Sequence, residues 1–203
     1  MLSIIDKKLF PEDITVIEAL DGKSIYLIHK NASTTLQTIQ KRVLSEAEVA
    51  KLELVDVFVR DPYTRFLSGV QTYATKTGIK NIPDLAKIIN DVYFINNHFC
   101  PQLFWIINLQ RFCSAKIRIN HINTLEKFTK VNQNKQTDYS ELDVYFRDNK
   151  QLKYYLELDC VLYENFINKT VTFTDIIATL KSNYNELYND TFGFTKQICN
   201  VLD

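Results

Sequence analysis

Two stretches of this chain repeat one pattern: a short apolar, β-branched run that ends abruptly in a charged loop, followed by apolar residues at helical spacing. The first is Lys23–His29 (KSIYLIH), which follows an Asp21-Gly22 turn signal and runs into KNASTT. Leu36, Ile39, Val43 and Leu44 then predict a helix, with Ser33 or Thr34 available as its cap. The second is Leu52–Pro62 (LELVDVFVRDP), after which Tyr63, Phe66, Leu67 and Val70 make one helical stripe. Successive strand–loop–helix units imply an α/β fold with a parallel sheet. In such sheets ligands bind beyond the carboxyl ends of the strands, where both polar loops would sit. The two loops can therefore face one ligand.

Further along, Ile82–Val92 reads as an amphipathic helix, and Asn96–Ile106 (NNHFCPQLFWI) as a loop entering an apolar segment whose periodicity does not separate strand from helix. Thr129–Asp143 is polar and predicts an exposed loop. From Tyr145 onward, Leu152, Tyr155, Leu156, Cys160 and Tyr163, then Ile176, Ile177, Leu180, Tyr184 and Leu187, predict two or three helices. With 203 residues and 46% apolar content, one core and a single domain over residues 1–203 are expected.

Charge narrows the function classes. Lys+Arg and Asp+Glu balance at 24 each, so no global field draws in a nucleic acid, and any anion must be bound locally. The four cysteines form no Cys-x-x-Cys pair, which argues against a zinc knuckle or a disulfide framework and for reduced, buried thiols. No apolar run reaches the ~20 residues of a transmembrane helix. The start MLSIIDKKLFPED carries charges too early for a signal peptide, so the expectation is a soluble, cytoplasmic protein.

HKNASTT places one cation, three hydroxyls and small side chains at the end of a strand and the start of a helix, where unpaired amides can cradle an anion. The same residues also suit a plain helix cap. No glycine lies between Gly22 and Gly69, and Gly-x-x-x-x-Gly-Lys-Ser/Thr is absent, so ATP fits poorly. In FVRDPYTRFLSG, Arg60 leaves the strand and Ser68 follows about two helical turns later. A guanidinium fork and a hydroxyl converging on one point suit a phosphate monoester.

Those residues carry a resemblance. HKNASTT resembles the phosphosulfate-binding loop, and FVRDPYTRFLSG the 3′-phosphate motif, of carbohydrate sulfotransferases of the 2-O-sulfotransferase and HNK-1-like group. NNHFCPQLFWI resembles that group's His-Trp-x-x-Pro-Gln segment, with Phe99 in place of the Trp. Leu158–Phe166 and Glu186–Phe194 both look like versions of its carboxy-terminal Tyr/Leu…Asp…Tyr/Phe pattern. The chain departs from the group in having His29 where a Pro commonly precedes the loop lysine, and in its shortness, which leaves little room for the usual substrate-binding insertion.

The resemblance implies a three-layer P-loop-like fold with a central parallel sheet flanked by helices and a helical C-terminal part. It implies 3′-phosphoadenosine 5′-phosphosulfate (PAPS) as co-substrate, 3′-phosphoadenosine 5′-phosphate (PAP) as product, and no metal. The acceptor would be a glycan or another hydroxyl-bearing molecule. His29, Lys30, Asn31, Ala32, Ser33, Thr34 and Thr35 would surround the phosphosulfate, with Lys30 catalytic at the bridging oxygen, while Arg60 and Ser68 would hold the 3′-phosphate. For the base, His98 ranks first on position, ahead of His29, with Glu46, Glu48 and Glu53 as carboxylate alternatives. His121 lies in no motif and reads as structural. Asp61-Pro62 reads as a helix start with Arg65 pairing back to Asp61, and Trp105, Phe104 and Phe99 as core.

Overall fold

The computed structural model describes residues 14–92, 96–125 and 138–183. Its strands are β1 (Val16–Ala19), β2 (Ser24–Tyr26), β3 (Gln40–Val43), β4 (Leu54–Val59), β5 (Lys116–His121) and β6 (Lys169–Val171), in one sheet of order β3-β1-β2-β4-β5-β6. The three central strands β2, β4 and β5 are parallel, whereas β1, β3 and β6 pair antiparallel. The sheet is thus mixed, where a parallel one was expected. The cause is local: the Asp21-Gly22 turn closes a hairpin between β1 and β2, with Val16 opposite Tyr26.

A second departure follows β2. Helix α1 covers only Ser33–Gln37, and the expected continuation through Val43 is instead strand β3. Leu36 does pack into the core, but β1 has an outer edge whose backbone groups need partners, and β3 supplies them. Glu18 on β1 draws in Lys41 at 2.6 Å and Arg42 at 2.7 Å, so cross-strand charge reinforces the pairing. A short helix α2 (Glu46–Val49) then leads into β4.

Helix α3 (Pro62–Thr77) forms as its sequence signals direct: the Asp61 carboxylate accepts from Thr64 N at 2.8 Å, Pro62 takes the first turn, and Gly78 ends it at φ 72°. Next come α4 (Ile82–Val92) and α5 (Gln102–Gln110). α5 is buried from Gln102 to Leu109, hence its lack of a polar face and of readable periodicity. Helices α6 (Ser140–Phe146), α7 (Lys150–Asn165) and α8 (Phe173–Asn183) complete the described chain. α6 begins inside the stretch expected as loop; Glu186–Phe194 lies outside the described residues.

One face of the sheet, with Val55, Val57, Val59, Ile117 and Ile119, packs on α5, α7 and α8. The other face, with Ile17, Ile25 and Phe58, meets Leu36 of α1 and Leu125. A separate cluster of Phe66, Leu67, Val70, Leu85, Ile89, Phe99 and Phe146 joins α3 to α4 and α6. No helix among the described residues is long and apolar enough to cross a membrane. Cys100 and Cys113 are buried free thiols and Cys160 is a half-buried one.

Candidate functional site

Because β2 and β4 are parallel neighbours, the loops after them, residues 29–32 and 60–61, leave the same edge of the sheet. Both are tied to the turn at residues 96–101, which precedes α5, by a buried polar network. Asn31 is fully buried, and its Nδ2 donates to Phe58 O at 2.8 Å and to Gln102 Oε1 at 2.6 Å. Gln102 Oε1 also accepts from Arg60 N at 2.9 Å, while its Nε2 donates to Arg60 O at 3.0 Å and to Asp159 Oδ2 at 3.2 Å. Gln102 therefore pins all three segments with one amide.

Arg65 and Asp159 form the second anchor. Both are about 2% exposed, and Arg65 Nη1 lies 3.9 Å from Asp159 Oδ2. Arg65 Nε donates to His29 O at 3.3 Å and Nη1 to Phe99 O at 3.5 Å, so one guanidinium holds the first loop against the third. Asp159 Oδ1 accepts from Leu103 N at 3.1 Å. Burial pushes the Asp159 carboxyl above the usual carboxylate range, and the Arg65 charge opposes that shift. The expected pairing of Arg65 with Asp61 is replaced by this one, since the Asp61 carboxylate is engaged in capping α3.

The first loop is strained. Lys30 (φ 68°) and Ala32 (φ 57°) both take the left-handed conformation, which costs a non-glycine residue of order 1–3 kcal/mol. The anchoring of Asn31 between them holds the loop in that shape, and backbone turned in this way can present its amides as an anion-binding concavity. Ala32 occupies the cap position of α1 with no side-chain bond, so neither Ser33 nor Thr34 is the cap. Ser33 is half-buried, Thr34 is exposed and Thr35 is buried.

Around this loop the charges are of one sign. Lys30 Nζ donates to Thr72 Oγ1, and Lys76 Nζ lies 3.3 Å from His98 Nε2. Burial and then Lys76 lower the Lys30 pKa, Tyr139 opposes them, and Arg60 and Arg65 add to the lowering. Burial, Arg65, Lys30 and Lys76 lower that of His29. His98 is pushed down to about 4 by burial and then by Lys30, Lys76, His29 and Arg65. Lys30 and Arg60, from loops thirty positions apart, thus sit close enough to feel each other. Among the described residues, no carboxylate pairs with Lys30, Lys76 or His98.

The histidines are held in place. The His29 ring lies 5.0 Å from that of Trp105 and 6.2 Å from that of His98. His98 N donates to Asn96 Oδ1 at 2.9 Å. The turn can reach α3 because residue 69 is glycine: a Cβ there would meet His98 O at 2.3 Å. His121, by contrast, accepts from Asn123 N on Nδ1 at 3.0 Å and meets Tyr163 Oη through Nε2 at 2.7 Å, a structural role. Trp105, Phe104 and Phe99 are core.

The structure thus brings Lys30, His29 and His98 together beside α3, the helix that carries Ser68, while Arg60 is tied to the first loop through its backbone bonds to Gln102. Glu48 is engaged elsewhere: Ser45 and Arg42 hold it, keeping its pKa at about 2, too low for a base at neutral pH. Thr72 and Lys76 were not singled out by sequence, and Gln102 and Asp159 lay in the Pro-Gln and Leu158–Phe166 segments without an assigned role. Thr72 and Lys76 follow Ser68 at helical spacing, a signal that could have found them; nothing in the sequence marked Asp159 as the partner of Arg65. Comparison of the chain with protein-family models, curated proteins and solved structures finds no match to any of them.

Proposed function

We propose that the protein is a sulfotransferase that moves the sulfuryl group of PAPS to a hydroxyl of a carbohydrate. The observation that carries this reading is the cation cluster. Burial and neighbouring cations, Lys76 and Arg65 for all three and Arg60 for Lys30, lower the proton affinity of Lys30, His29 and His98, and no carboxylate among the described residues pairs with Lys30, Lys76 or His98, which is the electrostatic complement of a bound polyanion. Arg60 and Ser68 suit the 3′-phosphate, and the strained loop with Lys30 suits the phosphosulfate.

In the transfer, the bond between sulfur and the bridging oxygen breaks, and its electron pair stays on the 5′-phosphate. Lys30 neutralises the charge growing on that oxygen. The acceptor oxygen bonds to sulfur and its proton passes to His98, which is neutral at pH 7 and can accept it. Negative charge bound beside His98 raises its proton affinity toward the useful range.

A second reading, a nucleotide-binding module without turnover, is favoured by one observation: His98 Nε2 faces an ammonium, not an open acceptor position. Both readings require PAP binding, and only the first yields a sulfated product from a glycan panel, read by mass spectrometry.

The donor site is tested by thermal unfolding. At about 100 times its dissociation constant PAP should add about 2.7 kcal/mol, AMP much less, and Arg60→Ala should erase the difference. Equal stabilisation of the wild type by PAP and AMP would remove the basis for the 3′-phosphate grip.

A further inference from the structure

Ser68, Thr72 and Lys76 recur every four residues on α3, so each lies about 6 Å further along the helix axis than the last. They form a ruled line along the polar site. Thr72 Oγ1 donates to Ser68 O at 3.0 Å and accepts from Lys30 Nζ. One turn on, Lys76 Nζ meets His98 Nε2 at 3.3 Å. The line therefore orders three chemistries: the hydroxyl for the 3′-phosphate, the cation for the leaving oxygen, and a lysine–histidine pair beyond it.

Lys76 is exposed, and its partner is a neutral imidazole nitrogen. An ammonium gains more from an oxyanion than from a neutral nitrogen, because the attraction of opposite charges adds to the hydrogen bond. The groups whose charge acts on His98 are Lys30, Lys76, His29 and Arg65, all of them basic, so no acid competes for Lys76 at this end. Since an ammonium on Nε2 blocks the lone pair that a base must use, the contact has to break for His98 to accept a proton.

We propose that Lys76 is a ligand for the oxygens of the transferred sulfuryl group, and that in turning to them it releases His98 Nε2 for the acceptor hydroxyl. The identity of the oxyanion rests on the PAPS reading; the exchange of Lys76 from imidazole to oxyanion rests on the Lys76–His98 geometry.

The test compares the wild type with Lys76→Gln, a surface change that leaves the core intact, using calorimetric affinities for PAPS and PAP and the imidazole nitrogen NMR signals of His98. Lys76→Gln should weaken PAPS about tenfold or more and PAP less than about twofold, because PAP lacks the sulfuryl oxygens. In the wild type, PAPS should move the His98 Nε2 signal and PAP should not. Equal weakening of both nucleotides, or of neither, overturns the inference while leaving the donor reading intact. If the wild type binds neither, the donor reading falls and inorganic sulfate decides: a His98 Nε2 shift that Lys76→Gln abolishes sustains Lys76 as an oxyanion ligand. A shift independent of Lys76, or none, overturns it.

Discussion

Gly69→Ala isolates the contact on which the site's geometry depends. The added methyl would lie 2.3 Å from His98 O, 3.1 Å from His98 C and 3.2 Å from Phe99 Cδ1, so helix and turn must separate by about 1 Å to restore ordinary contact. The nearest atom is backbone, which cannot rotate out of the way as a side chain could. Overpacking of this kind costs about 1–3 kcal/mol, and the gain from alanine's better helix propensity offsets at most about 1 kcal/mol. The net expectation is a loss of about 0–3 kcal/mol centred on about 1–2 kcal/mol, the centre corresponding to roughly 2–8 °C in Tm for a chain of this size. The larger effect is functional. Moving the His98 turn by about 1 Å separates it from Lys76 and Lys30, and a misplacement of that size can lower a rate about 100-fold. PAP affinity should change much less, because Arg60, Ser68 and the first loop stay in place. The assays are thermal unfolding, PAP titration and single-turnover transfer on the same preparation. A variant as stable as the wild type, with His98 unmoved by NMR, would refute the steric reasoning.

Two further outcomes follow from the buried network and the charge cluster. Asp159→Ala leaves the buried Arg65 guanidinium without its carboxylate and should cost about 3–5 kcal/mol in urea unfolding, whereas Arg65→Met with Asp159→Leu should recover much of that loss; a cost under about 1 kcal/mol for the single change would contradict the pair's role. His98 has a folded pKa of about 4, below its ordinary 6.5, so the unfolded chain binds the proton more readily. Its contribution to stability is complete above about pH 6.5 and is lost as pH falls toward 4; His29 shifts in the same direction, and His98→Gln should flatten the Tm profile over that window. An unchanged slope would place the depressed group elsewhere.

Much of this architecture is local and therefore readable in one dimension. Apolar runs ending in His29-Lys30 and Arg60-Asp61 locate two parallel strands, and Asp61, Pro62 and Gly78 bound α3, because caps and turns depend on a few consecutive residues. β5 was readable too: Ile117 and Ile119 alternate with Lys116, Arg118 and Asn120 in a period-two pattern. β3 was not readable, since Leu36, Ile39 and Val43 fit a helix and only the open edge of β1, with Glu18 facing Lys41 and Arg42, turns that segment into a strand. The same holds at the site. Residue types announce an anion loop, but the partner of Arg65 is Asp159, ninety-four positions away, and the neighbour of His98 is Lys76 across a gap that only Gly69 permits. Pairings between distant segments are decided by packing, because burial makes a charge choose whichever partner the folded chain brings within reach.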